Sequence, residues 1–292
     1  MSAPAAPPGR ARRRLTLAGT RGLVNLFLIG MALLALYPFL VMLFGGLKSS
    51  QELTSNPGGW PHHPVGSNFS SLFTGDSGSL LRRALLNSAL VTVCFTALTV
   101  VFSAMAGYAF AQYRFRGRNV IFGLLMVSML VPTEVNIPTL YVLFSKIGWL
   151  DSYQVQILPG TASVLGMFMV RQFMAGMPRE VLDAARVDGA GHWRTFWRVA
   201  APMASPALGA VAVLTFVAKW CDYLWPVIMV SDPSHQPIMV ALPNLATSQD
   251  GFIVRYELLL AGAFVITLPL LAVFLRFQDK LMNGTTAGAV RG

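Results

Sequence analysis

Charged residues are scarce in this sequence. Asp, Glu, Lys and Arg make up 12% of the 292 residues, against roughly 25% in a soluble globular domain. Hydrophobic residues make up 54%, and the mean hydropathy is +0.58. A charge deficit of this size over the whole length excludes an ordinary soluble domain and indicates that lipid is the main solvent.

Cysteine and recognisable ligand motifs are also scarce. Cys94 and Cys221 both lie in apolar stretches, which excludes a disulfide framework. The four histidines have no zinc-binding spacing. No GxxxxGK[ST] phosphate loop occurs, and the nearest match, residues 45–49, lacks the first glycine at the required position. The sequence therefore predicts no catalytic residue, no metal site and no cofactor bound by this chain.

Long hydrophobic runs, in contrast, are present. A membrane helix needs about 20 mostly apolar residues, and six runs meet that requirement: Leu23–Leu47, Leu86–Ala111, Val120–Phe144, Gln154–Met174, Leu208–Val230 and Leu258–Phe277. They predict an all-α membrane protein with six transmembrane helices, and a four- or five-span topology is the alternative. Pro132 and Pro138 predict a kink or an unwound turn in the third run.

The basic residues are distributed asymmetrically between the two sides. Of 22 Lys and Arg residues, 16 lie in the N-terminal tail, residues 113–119, residues 171–198 and the C-terminal tail. Basic loops stay in the cytoplasm, so both termini are expected inside, in a multi-pass protein of the inner or plasma membrane. The net charge of +10 is then a topology signal, and nucleic acid is not an expected partner.

These boundaries predict three segments. Residues 1–18 are expected to form a disordered cytoplasmic tail, residues 19–282 the membrane domain, and residues 283–292 a second cytoplasmic tail. A cleaved signal peptide is a poor alternative for the first segment, because the apolar run from Leu23 is too long. The external loop Lys48–Leu85 is polar and rich in Gly and Pro, and it is either part of a docking surface or a plain connector.

The cytoplasmic loop of residues 177–202 predicts two short helices. Pro178 is favourable in a first helical turn, and Glu180 and Asp183 place negative charge near that end. We expect a helix from Pro178 to about Val187. Its apolar side would hold Val181, Ala184, Ala185 and Val187.

A sharp turn is expected after this helix. Gly189 can adopt the backbone angles of such a turn, and Asp188 can cap a second helix. The second helix would carry an apolar stripe, and Pro202 and Pro206 would begin the next span. The stripe consists of Trp193, Phe196 and Trp197. The small residues of the loop suit insertion into a groove on another protein, and packing against the chain's own helices is the alternative.

At these residues the sequence resembles the permease subunits of ATP-binding-cassette (ABC) importers, in particular carbohydrate permeases of the maltose and glycerol-3-phosphate type. The signature of that family, the EAA loop, is matched at Asp183-Ala184-Ala185, Asp188-Gly189-Ala190, Phe196 and Pro202. Asp183 departs from the usual Glu, which keeps the charge on a shorter side chain.

The resemblance covers nearly the whole chain. Further matches, in order, are Asn87-Ser88, residues 106–111 with 115–117, Pro132 to Tyr141, residues 220–226 and the ending GAVRG at residues 288–292. In the stretch WCDYLWP, Cys221 replaces the Asn of the family. The resemblance implies a type I importer permease of MetI-like architecture.

The resemblance also implies partners and site residues. Such permeases pair with a second, related permease, two ATPase subunits that bind ATP and Mg²⁺, and an extracytoplasmic solute-binding protein. The cytoplasmic loop would then couple ATP hydrolysis to tilting of the spans. The coupling residues carried over are Glu180, Asp183, Ala184, Ala185, Asp188, Gly189, Ala190, Phe196 and Pro202.

Polar and aromatic residues within the runs are candidates for a solute pathway, because their burial in lipid is costly. Aromatic rings stack on sugar faces and carboxylates accept hydroxyl hydrogens, so the set suits a sugar or an oligosaccharide. The candidates are Glu134, Asn136, Tyr141, Trp220, Asp222, Tyr223 and Trp225. Enrichment of Trp and Tyr at membrane interfaces, or solute held mainly by the partner permease, is the alternative.

Two other functions are alternatives to the importer. A membrane-embedded enzyme would need a His–Asp or His–Cys grouping at membrane depth, and the sequence has none. A proton- or ion-coupled secondary carrier commonly has repeated halves, and no repeat is visible. The carrier remains the alternative function.

Overall fold

The chain is helical in a computed structural model that describes the backbone of residues 9–247 and 254–286. Apart from an isolated antiparallel bridge between Thr247 and Val254, these residues form no strand pairing. The α-helices are α1 Gly9–Gly46, α2 Ser50–Ser55, α3 Ser67–Ser71, α4 Gly75–Gln112, α5 Arg118–Ser128, α6 Ile137–Lys146, α7 Tyr153–Ile157, α8 Val164–Ala175, α9 Arg179–Val187, α10 His192–Thr195, α11 Ala201–Met203, α12 Ser205–Trp220, α13 Leu224–Met229, α14 Ile238–Ala246 and α15 Tyr256–Thr286. The all-α class is confirmed.

Three of the six predicted spans are continuous helices of sufficient length and apolar character: Gly22–Gly46 of α1, Gly78–Gln112 of α4 and Tyr256–Gln278 of α15. These stretches confirm the first, second and sixth predicted runs. The helix α4 begins at Gly75, a full three turns before the predicted start at Leu86, because residues 75–85 of the external loop are already helical.

The third predicted span is broken rather than continuous. α5 ends at Ser128, a 3₁₀ turn follows at Thr133–Asn136, and α6 leaves at 87° to α5. The break ends at Pro132, and Pro138 lies in the first turn of α6, so the predicted interruption is confirmed. Proline has no N–H to continue the helical ladder, so the chain unwinds there.

The fourth and fifth predicted spans are also interrupted, which the sequence did not predict. Gln154–Met174 divides into α7 and the 12-residue α8. At 1.5 Å per residue α8 is about 18 Å long, less than the roughly 30 Å of a hydrocarbon core. Leu208–Val230 divides into α12 and α13 at Cys221–Tyr223. Within the described residues, three helices are long enough to cross. The number rises to five if each of two bent pairs, Arg118–Ser128 with Thr133–Lys146 and His192–Met203 with Ser205–Trp220, is one span. The count of six stays a prediction.

Helices extend into the segments that the sequence assigned to the tails and to the external loop. α1 begins at Gly9, within the segment expected to be disordered, whereas residues 1–8 lie outside the described residues. α15 extends to Thr286, and residues 287–292 also lie outside. The external loop Lys48–Leu85 contains α2, α3 and the beginning of α4.

The chain divides into two compact units. The first comprises Met1–Phe69 with Tyr256–Phe264, and the second comprises Ser70–Arg255 with Val265–Gly292. In the first unit α1 meets α15 closely, because a methyl group on Gly46 would lie 2.8 Å from the Ala261 Cα. Small residues allow two membrane helices to approach to this distance.

In the second unit α4 packs mainly against α8, α12 and α14. The tightest approach is at Gly107, where an added Cβ would lie 2.7 Å from Val170 Cγ1 and 2.9 Å from the Arg171 amide nitrogen. One core cluster continues from this contact into the cytoplasmic loop. It contains Ala104, Tyr108, Val170, Met174, Met177, Leu182, Phe196, Ala200, Ala201, Ala204 and Val211.

The α4–α8 contact predicts the effect of a single methyl group. We expect Gly107→Ala to destabilise the protein by about 1–3 kcal/mol, because the backbone of Arg171 cannot move aside as a side chain would. The matched control is Gly123→Ala in α5, where an added Cβ meets no atom within 4 Å. The temperature of thermal unfolding in detergent should fall for Gly107→Ala and not for Gly123→Ala. Equal behaviour of the two variants would show that the contact is not tight.

Candidate functional site

The cytoplasmic loop folds as a helix followed by a tight reversal. α9 starts after Pro178, with Glu180 in its first turn and Arg186 in its last, which matches the helix dipole at both ends. After α9 the amide of Gly189 donates to Arg186 O at 3.0 Å, and the amide of Ala190 donates to Ala185 O at 2.9 Å. This pair of bonds is a Schellman motif, and Gly189 supplies its left-handed residue with φ +78°.

Two predicted details of this turn are wrong. Asp188 does not cap the second helix, because it is the C-cap of α9, and Gly191 precedes α10 instead. Pro178 lies at the N-cap position rather than in the first helical turn. The Schellman motif requires two residues after Asp188 to close, and this displaces the start of the second helix.

Apolar side chains of the loop, with Leu182 and Phe196 the largest from its two helical segments, attach it to the helix bundle. Leu182 of α9 is 2% exposed and Phe196 is 3% exposed, and both belong to the core cluster with Ala104 and Tyr108 of α4. The Phe196 ring lies 5.2 Å from the Tyr108 ring. Residues 192–203 form one curved helical stretch with a π-helical turn at Phe196–Ala200. The alternative prediction, that the loop packs on its own bundle, therefore holds for its inner face.

The other face of the loop is exposed and apolar. The predicted apolar side of α9 does not face the bundle, since Val181 is 40% and Val187 is 87% exposed, and Ala184 is also exposed. Two tryptophans extend the surface. We call this surface the outer face: Val181, Ala184, Val187, Trp193 and Trp197. Large exposed apolar side chains grouped in one loop are typical of interaction surfaces.

The charged residues of the loop are exposed or locally paired. Asp183 accepts a hydrogen bond from Arg186 at 2.9 Å within α9, an exposed pair worth a few tenths of a kcal/mol. At the second helix, Tyr113 Oη lies 3.1 Å from His192 Nδ1. Ala185 and Ala190 are half-buried, and Pro202 is exposed.

A second candidate site is a cavity of about 560 Å³ in the second unit, within the range typical of ligand sites. Each of the three span interruptions contributes to its wall. They do so through Thr133, Glu134 and Asn136 of the third span, Pro159, Gly160 and Ser163 of the fourth, and Asp222 of the fifth. Polar groups therefore enter the wall where helices end, while Phe95 and Thr99 of α4 complete it.

The cavity brings together four of the seven predicted pathway residues: Glu134, Asn136, Asp222 and Trp225. The other three do not line it. Trp220 is 4% exposed and donates its indole N–H to Ile266 O at 3.1 Å. Tyr141 and Tyr223 are 40% and 48% exposed on other surfaces.

Lys219 also lines the cavity, although the sequence analysis did not include it among the candidate pathway residues. Its Nζ donates to Asp222 Oδ2 at 2.8 Å and lies 4.9 Å from the Phe95 ring centroid. Asp222 Oδ1 in turn accepts from the Trp225 amide at 3.3 Å. A basic residue inside an apolar run is itself a signal of function, and Lys219 could have been predicted on that ground.

Cavity hydroxyls also escaped prediction, because Thr and Ser occur throughout membrane helices. Thr99 Oγ1 is buried in the wall and has no hydrogen-bond partner among the residues that the structure describes. Buried polar atoms normally have a partner, so this hydroxyl is an exception, although its oxygen is itself buried and not open to the cavity.

At the other end of α4, side chains hold the segment between α13 and α14. Asp151, with φ 56°, accepts from the amides of Ser231 at 2.5 Å and Asp232 at 2.7 Å. Asn87 donates to Ser234 O at 2.9 Å and Gln236 O at 3.0 Å. The hydroxyl and amide of Ser234 lower the pKa of Asp232 to about 2. Because its pKa is lower in the folded protein, ionised Asp232 stabilises the fold at pH values above the ordinary carboxyl pKa. This stabilisation is lost as the pH falls toward 2.

Comparison with known proteins gives the same picture from an independent direction. Residues 99–285 match the model of the family described as binding-protein-dependent transport system inner membrane component. The arabinooligosaccharides transport system permease protein AraQ of Bacillus subtilis is 35% identical over 272 residues, covering 92% of this chain and 95% of the relative. The diacetylchitobiose uptake system permease protein NgcG of Streptomyces coelicolor is 30% identical, with 90% and 87% covered.

A third relative transports a different solute. The sn-glycerol-3-phosphate transport system permease protein UgpE of Yersinia pestis is 32% identical over 269 residues, covering 89% of this chain and 94% of the relative. Among solved structures, a bacterial ABC transporter involved in the import of the acidic polysaccharide alginate has a TM-score of 0.78 at 20% identity. That match covers 96% of this chain and 100% of the other, and at this identity it supports the fold alone.

The Lys219–Asp222 pair predicts a coupled effect on stability. Lys219→Met leaves the Asp222 carboxylate without its cation in a wall where that side chain is 23% exposed, and we expect a loss of about 1–3 kcal/mol. Lys219→Met with Asp222→Asn should recover most of it, since asparagine can still accept from the Trp225 amide. Thermal unfolding of the three proteins tests this. A double variant no more stable than the single one would exclude coupling between the two residues.

Proposed function

Because the chain belongs to the family of binding-protein-dependent transport system inner membrane components, we propose that it forms one half of the solute path of an ATP-driven importer for a neutral sugar or oligosaccharide. It is a transmembrane permease subunit and works with other transporter components. The observation that carries the proposal is a single helix, α4, that borders both the cavity and the core cluster beneath the cytoplasmic loop.

The chemistry of the cavity supports a carbohydrate. Its wall combines hydroxyl and amide groups with the Trp225 and Phe95 rings, which suits the alternating polar and apolar faces of a sugar. The charges of Lys219 and Asp222 cancel, so the carboxylate of Glu134 gives the cavity wall a net negative charge. That balance disfavours an anionic solute. Two of the similar permeases are named for neutral oligosaccharides.

The outer face supports a coupling role. We place it in a groove of an ATPase subunit, where its apolar side chains lose their exposure to water. The Schellman motif joins α9 rigidly to the second helix, and Leu182 and Phe196 join both to α4. Closure of the ATPase would then move the bundle end of α4 and, with it, the cavity wall. To shift such a two-state equilibrium from 1:99 to 99:1 requires about 5.5 kcal/mol of differential binding.

The proposed function requires further subunits. We propose a second permease beside this chain, two ATPase subunits that hold ATP and Mg²⁺, and an extracytoplasmic solute-binding protein, with both termini of this chain in the cytoplasm. The near match to a phosphate loop at residues 45–49 fits this assignment. Its lysine, Lys48, is fully buried and donates to carbonyl groups of its own chain.

Reconstituted uptake separates the importer from a secondary carrier. Vesicles that contain this chain with its co-purifying subunits should accumulate a labelled neutral oligosaccharide only when ATP and the solute-binding protein are supplied. Uptake by this chain alone under a proton gradient, without ATP, would replace the proposal with the carrier.

Gly189 gives a direct test of coupling. Proline cannot adopt the φ of +78° at this position, and it lacks the N–H that bonds to Arg186 O. We expect Gly189→Pro to abolish transport while membrane insertion remains normal. The matched control is Gly191→Ala two residues later, where φ is −66° and an added Cβ meets open space. Wild-type uptake by Gly189→Pro would count against the coupling role.

Asn136 tests the solute path. Asn136→Ala removes a cavity group that can bond a sugar hydroxyl, and the loss of one such bond, about 0.5–1.5 kcal/mol, corresponds to roughly a two- to tenfold weaker apparent affinity. Tyr141→Phe is the control, because Tyr141 lies outside the cavity. Concentration-dependent initial uptake rates measure both. If Tyr141→Phe weakens uptake as much as Asn136→Ala, the cavity is not the path.

A further inference from the structure

Lys48 organises a short turn after α1. It is 0% exposed, and its Nζ donates to Asn56 O and Gly59 O, each at 2.6 Å, and to Pro57 O at 3.5 Å. Asn56 Nδ2 donates to Trp60 O at 3.2 Å. Four of the five carbonyl oxygens in residues 56–60, the NPGGW turn, are therefore satisfied by side chains of this chain.

The NPGGW turn lies beside α1 and not beyond its end. A methyl group on Gly58 would lie 3.5 Å from the Tyr37 hydroxyl, and the Trp60 ring lies 4.5 Å from the Phe44 ring. At 1.5 Å per residue, Tyr37 is about 13 Å before Gly46 along the helix. The turn therefore runs back alongside the final turns of the span Gly22–Gly46.

The exposed surface of the turn is uncharged. Pro57, Gly58 and Trp60 are exposed, Trp60 by 70%. This surface continues that of α1, where Tyr37 is 54% and Leu40 is 42% exposed. Tryptophan is enriched where headgroups meet acyl chains, and non-aqueous surroundings require that backbone groups be bonded internally. The turn meets the first condition through Trp60, and it meets the second for four of its five carbonyl groups.

We propose that the NPGGW turn is immersed in the interfacial layer of the bilayer at the Gly46 end of α1. Trp60 is the lipid anchor, and Lys48 is the internal donor that allows backbone carbonyl groups to lie there. Lipid is the expected occupant because the turn extends the apolar surface of a membrane-spanning helix whose side chains are exposed throughout most of the span. This inference concerns membrane anchoring and is independent of the proposed solute and coupling roles.

The depth of a nitroxide label tests the proposal. In full-length protein with Cys94→Ser and Cys221→Ser, Trp60→Cys is labelled. The protein, with its co-purifying subunits, is then reconstituted into vesicles of phosphatidylcholine and phosphatidylglycerol. We expect relaxation by oxygen, which partitions into lipid, to exceed relaxation by a water-soluble nickel complex. The comparison site is His63→Cys, an exposed polar position three residues later.

Two other results for the label at position 60 would overturn the proposal. Dominant relaxation by nickel at position 60 would place the turn in water. An immobilised label that neither reagent reaches would place it against another protein subunit. In a second variant, Lys48→Met, the label at position 60 should move toward water, because three carbonyl groups lose their donor. An unchanged depth would show that Lys48 does not hold the turn in the interfacial layer. If Lys48→Met fails to insert into the membrane, the label in the protein that retains Lys48 still measures the depth of the turn.

Discussion

The close approach of α4 to α8 at Gly107 is the contact on which the second unit depends. It allows Val170 to pack against the backbone of α4, and the next residue, Tyr108, joins the cluster that holds Leu182 and Phe196. Toward the other end of the same helix, Phe95 and Thr99 form part of the cavity wall. One helix therefore contributes both to the base of the cytoplasmic loop and to a side of the cavity.

Sequence reasoning found the parts of this architecture that depend on local chemistry. Apolar length located α1, α4 and α15, Pro132 and Pro138 located the break in the third span, and Gly189 located the reversal after α9. The breaks at Leu158–Ser163 and Cys221–Tyr223 were not found, because an apolar run has the same composition whether its helix is continuous or interrupted. Likewise, Leu182 rather than Val181 or Val187 faces the bundle, and that orientation is set by tertiary packing.

Two lysines show how a basic group is accommodated in this apolar chain. Lys219 is paired with the Asp222 carboxylate across one helical turn, so the charges cancel at the cavity wall. Lys48 is instead surrounded by backbone carbonyl groups and fixes the shape of a turn. Both uses remove the ammonium group from lipid, but only Lys219 borders a space that a solute can enter. A count of basic residues by side of the membrane cannot distinguish these two situations.

The interruptions of the third, fourth and fifth spans leave backbone groups without helical partners, and all three face one cavity. Irregular backbone at membrane depth persists only where protein or water satisfies it. Any backbone group that opens onto the cavity without a protein partner would therefore be satisfied by water, and a solute that displaces this water would need polar groups of its own. Under the proposed function, the unwound segments would therefore favour a solute that carries many hydroxyl groups over an apolar molecule of the same size.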